Sequence, residues 1–213
     1  MGEHDGLTEL GQALADLDEG GVEHLVRQHL DQGLSPESII IELSAGMAEV
    51  GELFRREEYF LTELIYSGDI FKNAMTVLQP LCKTAADRKD GGVVVIGTVQ
   101  GDIHDLGKNI VVTLLECAGF TVVDIGVDAP AQRFVEAAIE SQAVLVGLSM
   151  LLTTAFDAAR ETVAAFTQAN LRDKVKIMIG GSVTNDSVRQ DIGADFWGKD
   201  ATAAVEIARE VCQ

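Results

Sequence analysis

Histidine is scarce in this chain of 213 residues, and one of its four copies stands in the segment GDIHDLGKNI at residues 101–110, between two aspartates and two glycines. An imidazole on a loop can ligate a metal through one ring nitrogen while the other donates to a carboxylate. Asp102 is the better carboxylate for that task, because side chains two apart in an extended segment project the same way. Asp105 suits the positive end of a following helix, and Gly107 leads into that helix. By average residue frequencies a lone D-x-H-x-x-G occurs by chance in about 2% of chains this long, so the segment needs company before it means anything.

The elements around it supply that company. The segment follows the apolar run VVVIGTV at residue 93, and four further runs come after it: TVVDIGV at 121, AVLVGLS at 143, VKIMIGG at 175 and ADFW at 194. Their continuous rather than alternating hydrophobicity predicts strands buried on both faces. Helical stretches near 107–118, 131–141, 153–168, 184–191 and 200–212 separate or follow them. A five-fold strand–helix alternation predicts a parallel sheet with helices on both sides, Rossmann-like or flavodoxin-like, whose functional loops lie beyond the strands' carboxyl ends. GDIHDLG is the first such loop.

Up to about residue 88 the pattern is different. Apolar residues recur at three and four: Ile39, Leu43, Met47, Val50 and Phe54, then Leu64, Phe71, Met75, Leu78 and Cys82. This is amphipathic helix. Ser35 followed by Pro36 reads as an N-cap with proline in the first turn, and Gly20-Gly21 and Gln32-Gly33 read as breaks. Four helices near 6–18, 21–32, 36–56 and 59–82 are expected, in a four-helix bundle, with Pro80 kinking or ending the last. KTAADRKDGG at 83–92 reads as a linker, giving a bundle domain at 1–88 and an α/β domain at 89–213.

Composition narrows the function classes. A net charge of −18, from 34 acidic and 16 basic residues, argues against nucleic acid as a partner, since phosphate contacts need clustered Lys and Arg. The cysteines Cys82, Cys117 and Cys212 are scattered, without CxxC spacing, which fits neither structural zinc nor a secreted disulfide pattern. No apolar stretch approaches the roughly 20 residues of a membrane span. A soluble, cytoplasmic protein is expected. His24 and His29 are five apart, a spacing that does not share a helix face, and His4 lies in the amino-terminal tail.

Two further motifs sit after later strands. Forty-one residues separate Gly107 from Ser149, which opens S-x-L (Ser149, Met150, Leu151) after the third strand, and 28 separate Leu151 from the pair Gly180-Gly181 after the fourth. The joint chance falls to the order of one in a million. D-x-H-x-x-G, S-x-L and G-G at these gaps resemble the cobalamin-binding domain of methylcorrinoid proteins and of cobalamin-dependent methionine synthase. The segment VGELFRREEYFLTELIYSGDIF resembles the helical cap that precedes this domain in corrinoid methyl carriers. Adenosylcobalamin mutases share the motif without the cap.

The resemblance implies a cobalamin, or related corrinoid, with its nucleotide tail detached from cobalt and pushed into a pocket beside the sheet, and His104 in the lower cobalt position. Asp102 would then accept the proton of His104, so that loss of the ligand on reduction of cobalt is coupled to proton uptake. Asp105 and Gly107 belong to the same motif. Ser149, Leu151 and Thr153 would line the tail pocket, and Gly180 and Gly181 would leave room for the nucleotide's backbone. Phe54, Leu61 and Leu64 occupy positions that in the family cover the corrin's upper face, and the linker would act as the hinge that moves this cover. Methionine synthase extends the relay to a serine six residues beyond the S-x-L serine; here that position is Ala155, so either Thr154 substitutes or the relay stops at Asp102.

The expected function is a methyl carrier without catalysis of its own. A substrate-specific methyltransferase would load it, a second methyltransferase would pass the methyl to tetrahydrofolate or a thiol, and a corrinoid-reactivating reductase is a further partner. A cobalamin-dependent sensor is the alternative, although such sensors usually add a basic DNA-reading module that this sequence does not show. A flavin or nucleotide protein would be expected to carry G-x-G-x-x-G or P-loop spacing in the first loop. Neither is there. The methyl donor and the oligomeric state are not written in the sequence.

Overall fold

The computed structural model describes residues 7–85 and 92–212, and the chain divides into two compact units, Met1–Thr84 and Ala85–Gln213. The first is helical: α1 (Glu9–Ala15), α2 (Glu19–Asp31), α3 (Pro36–Arg55) and α4 (Leu61–Ala85). Each start has a local cause. Thr8 and Ser35 accept hydrogen bonds from the N–H groups of Gly11 and Ser38, and Pro36 opens α3, where its missing N–H costs nothing. Glu63 reaches back to the N–H of Phe60 at 3.0 Å, fixing the entry to α4.

Two expectations are corrected here. Gly20-Gly21 do not break the chain; they form the first turn of α2, and the break falls at Leu17, where φ is 61°. Asp18 caps the helix by accepting from the N–H of Gly21 at 2.9 Å, and a Cβ on Gly21 would lie 2.3 Å from the Asp18 carboxylate. The glycine makes room for the cap. Pro80 does not end α4, which continues to Ala85. The apolar stripe of Phe71, Ala74 and Leu78 is buried up to the proline, and burial of that face offsets the one backbone hydrogen bond lost.

Helices α1 and α3 cross closely because two glycines meet. A Cβ on Gly46 would stand 2.5 Å from the carbonyl oxygen of Gly11. Around the crossing Leu10, Leu14, Ile39, Ile40 and Leu43 are fully buried, while Thr8 donates to Glu42 at 3.0 Å and the Tyr59 hydroxyl to the Ala15 carbonyl at 2.7 Å.

The second unit is a five-stranded parallel sheet, β1 (Val93–Thr98), β2 (Thr121–Asp124), β3 (Leu145–Ser149), β4 (Lys176–Gly180) and β5 (Phe196–Gly198), in the order β2-β1-β3-β4-β5. The connecting helices are α5 (Leu106–Cys117), α6 (Ala131–Ser141), α7 (Phe156–Gln168) and α8 (Asp186–Ile192), with α9 (Ala201–Val211) last. α5 packs with α9, and α6 with α7. This is the flavodoxin-like arrangement read from the sequence. A single 3-10 turn, Thr153–Ala155, precedes α7 where the sequence pointed to continuous helix.

Burial on both faces holds for the central strands β1, β3 and β4 but not at the edges, where Thr121 and Asp124 of β2 are exposed. Edge strands have one neighbour and less cover. One core face is built from Val95, Val146, Leu148, Ile177 and Ile179 against Phe134 and Phe166.

The register decides where the motifs go. Thr98 pairs with Ser149, Ser149 with Gly180 and Gly180 with Gly198, so the last residues of four strands form one row at the carboxyl edge. The loops holding the three motifs begin at that row. The strand order reverses between β1 and β3, which is where ligands bind in such sheets.

Glycine in a helix interior normally gives way favourably to alanine, by about 1 kcal/mol. Gly51 of α3 has open space around it, so Gly51→Ala should stabilise the helical unit by roughly 0.5 to 1 kcal/mol. Gly46→Ala, five residues earlier, should instead destabilise it by about 1 to 3 kcal/mol through overpacking. Thermal and urea unfolding of the two variants reads the opposite signs.

Candidate functional site

Asp102 lies in the loop between β1 and α5 and is fully buried. Every lone-pair direction of its carboxylate is used. Oδ1 accepts from the backbone N–H of His104 at 3.0 Å and meets His104 Nδ1 at 2.7 Å, and Oδ2 accepts from the N–H groups of Leu151 at 2.6 Å and Leu152 at 3.1 Å. Burial on its own raises this carboxyl. The donors from Leu151, His104 and Leu152 outweigh it and hold the pKa down to about 2.

An ionised carboxylate only accepts, so the short contact assigns the proton of a neutral His104 ring to Nδ1 and leaves the lone pair on Nε2. The His104 side chain is half exposed. Among the described residues no group of three or more His, Cys, Asp and Glu side chains converges into a metal site. One imidazole does not hold a bare ion, but it can complete the coordination of a metal whose other ligands come from a macrocycle.

The loop is fixed from several sides. The buried Thr98 hydroxyl donates to the His104 carbonyl at 2.8 Å. From the loop after β2, Asp128 accepts from the N–H of Gly101 at 2.7 Å and donates its own N–H to the Asp102 carbonyl at 2.9 Å. Lys108, 3% exposed, places Nζ 2.5 Å from Asp124 and 2.7 Å from Asn109. None of these partners was singled out in the sequence, although the acidic pair in DIGVD at 124–128 was there to be noticed.

Ile103 is 73% exposed, and Leu151, Leu152 and Val127 are also exposed, each on a loop at this edge of the sheet. Several exposed apolar side chains on neighbouring loops are a feature of binding surfaces. Gly107 adds room, because a Cβ built on it meets nothing within 4 Å.

The other sequence candidates fall as follows. Ser149 ends β3 in the edge row, and Thr153 and Thr154 are exposed in the 3-10 turn. Ala155 is buried, and the hydrogen bonds of Asp102 go to His104 and two backbone amides rather than to Thr154, so the side-chain relay stops at Asp102. Asp105 sits at the N-cap position of α5 without accepting from a helix N–H; it accepts from the Asn109 amide at 3.3 Å. Gly181, at φ +124°, answers to the protein itself, since a Cβ there would lie 1.9 Å from the Met150 carbonyl oxygen. Gly180 has only an ordinary contact at 3.5 Å. In the helical unit Phe54 and Leu61 are exposed and Leu64 is half-buried. The proposed hinge falls mostly on residues 86–91, outside the described residues.

Comparison with known proteins places the chain in a family. Residues 92–206 match the family model described as B12 binding domain, and residues 7–79 match a second model of the same description. Dimethylamine corrinoid protein 1 of Methanosarcina mazei is 38% identical over 206 residues, covering 96% of this chain and 95% of that one. The solved structure of the Methanosarcina barkeri monomethylamine corrinoid protein superposes with a TM-score of 0.84 at 34% identity, covering 96% of this chain and 97% of that one. The methanol:cobalamin methyltransferase complex MtaBC of the same organism contains a chain matched at 25% identity and a TM-score of 0.56, over 99% of this chain and 81% of that one.

Two consequences of the Asp102 geometry can be measured without any ligand. The nitrogen chemical shifts of neutral His104 should report a proton on Nδ1, and in Asp102→Asn the ring should revert to the Nε2–H form usual for free histidine. Asp102→Ala leaves the backbone N–H groups of His104, Leu151 and Leu152 without their acceptor and should cost about 2 to 4 kcal/mol in urea unfolding.

Proposed function

Because the chain belongs to the B12-binding family and is similar along its whole length to corrinoid proteins, we propose that it is a methyl carrier. A substrate-specific methyltransferase loads it and a second methyltransferase unloads it to an acceptor such as tetrahydrofolate or a thiol. A reductase restores the carrier when cobalt is oxidised. The names of the relatives point to methylated amines as the source of the methyl, and the name of the matched complex to methanol. Selection among such donors then lies with the loading enzyme. The carrier works in the cytoplasm; among the described residues no helix is long and apolar enough to cross a membrane.

The observation that carries this reading is the buried Asp102 carboxylate bound to Nδ1 of a half-exposed histidine. When bound, the corrinoid supplies cobalt as an atom that accepts a methyl group from one partner and yields it to another. His104 would hold the cobalt through Nε2, the ring nitrogen left with a free lone pair when Nδ1 bears the proton. Asp102 keeps the proton on Nδ1, which fixes the ring's tautomer and raises its strength as a donor.

The remaining residues shape the surface. Gly107 leaves the space that a side chain would take from a flat macrocycle, and Ile103, Leu151 and Leu152 give it apolar contact and exclude water. Ser149 and Thr153 bring hydroxyls to the detached nucleotide tail, and Gly180 leaves the carboxyl edge of β4 open to it. Phe54 and Leu61, exposed, and Leu64, half-buried, give the helical unit apolar side chains of the kind that would cover a flat apolar cofactor.

Reconstitution with hydroxocobalamin tests the reading. Wild type should bind about one cobalt per chain, and the absorption spectrum should shift in His104→Ala; absence of cobalt from the wild type would refute it. Gly107→Leu should weaken cobalamin binding at least about tenfold with the unfolding transition little changed, because a Cβ at this position meets no protein atom within 4 Å.

A further inference from the structure

Lys108 is the third residue of α5, where a cation faces the positive end of the helix dipole, and it is 3% exposed. Both placements cost free energy. Leucine or methionine would fill the same volume without either cost, so the charge calls for a reason in what it holds.

Its ammonium group lies between Asp124 Oδ2 and Asn109 Oδ1, at 2.5 and 2.7 Å. The other Asp124 oxygen accepts from the N–H of Gly126 at 2.9 Å. The Gly126 carbonyl accepts from the N–H of Thr98 at 2.9 Å, and the Thr98 hydroxyl donates to the His104 carbonyl at 2.8 Å. The covalent chain from 104 to 108 closes this path into a ring. His104 is held at one end of the segment and Lys108 at the other.

The same β2 loop grips the near side. Asp128 takes the N–H of Gly101 and gives its own to the Asp102 carbonyl. Residues 124–128 therefore bracket the histidine loop, with Asp128 before His104 and the Asp124–Lys108 pair after it. Asp102 is anchored separately by Leu151 and Leu152, so the bracket can be opened without touching the contact between Asp102 and the imidazole.

We propose that Lys108, buried itself and paired with Asp124 at the edge of the sheet, is a positioning residue for His104, holding the segment 104–108 so that the imidazole is presented at a fixed height above the sheet edge. This rests on the reading of His104 as the axial donor. Lys108 touches no cofactor in this scheme and acts only through the backbone of the histidine loop.

The test uses the full-length chain with Lys108→Met, Lys108→Arg and Asp124→Asn. In ligand-free protein the His104 amide should exchange with solvent at least about tenfold faster in Lys108→Met and Asp124→Asn, the effect of losing one charge-assisted hydrogen bond to the buried ammonium group. Amides of the central strands, such as those of Val95 and Ile177, should keep their wild-type rates, and Lys108→Arg should restore protection at His104. In corrinoid-loaded protein produced with histidine labelled in the heavy nitrogen isotope, the fraction of cobalt(II) showing the twofold axial splitting of labelled nitrogen should fall by about half or more in Lys108→Met and recover in Lys108→Arg.

Wild-type exchange at His104 in both Lys108→Met and Asp124→Asn would overturn the proposal. So would equal acceleration throughout the sheet, which would make Lys108 a general stabilising residue. If Lys108→Met does not fold, Asp124→Asn, which preserves shape, carries the decision. Failure of the axial-donor reading appears differently: wild type and His104→Ala would give the same loaded spectrum, while the exchange measurement still decides whether the bracket exists.

Discussion

One buried carboxylate organises this site. Asp102 is fully buried, and such a group survives there only if donors surround it. The chain provides them from two loops far apart in sequence: the N–H and ring of His104 on its own loop, and the N–H groups of Leu151 and Leu152 after β3. These donors hold the carboxyl ionised with a pKa of about 2. The ionised carboxylate in turn fixes which nitrogen of His104 bears its proton. Loop closure and the tautomer of the neutral His104 ring are thus set by the same four contacts.

The sheet makes those contacts possible. Parallel pairing aligns Thr98, Ser149 and Gly180 in one row, so loops separated by dozens of residues leave the sheet side by side. Gly181 lets the β4 loop approach the Met150 carbonyl, and Met150 immediately precedes the two amides that hold Asp102. The loop after β2 then braces the histidine loop from the other flank through Asp124 and Asp128. The imidazole of His104 is thereby exposed yet held in a defined orientation by contacts from three loops.

The legible part of this arrangement was the part carried by short-range spacing. The two-residue offset between Asp102 and His104 is a local signal, and the alternation of apolar runs and helical stretches fixes the fold class. Backbone donors left no such trace, because any residue at 151 and 152 presents an N–H group. The Lys108–Asp124 pair joins two elements across 16 residues and becomes visible only when β2 lies beside β1. The glycines divide for a similar reason: at Gly21 and Gly181 the absent Cβ makes room for the protein's own atoms, whereas at Gly107 the space stays open. Sequence spacing alone does not tell these cases apart. Phe54 was assigned to the buried stripe of α3 by its period, yet Leu53 is buried and Phe54 is exposed. One residue of phase at the end of a helix is enough to exchange the two.

The most direct measurement of the axial-donor assignment is the cobalt(II) paramagnetic resonance spectrum of corrinoid-loaded protein produced with histidine labelled in the heavy nitrogen isotope. If His104 has replaced the cofactor's base, each line split into three by ordinary nitrogen becomes split into two on labelling. If the threefold splitting survives labelling, the axial nitrogen belongs to the cofactor's own base, and the assignment of His104 is contradicted.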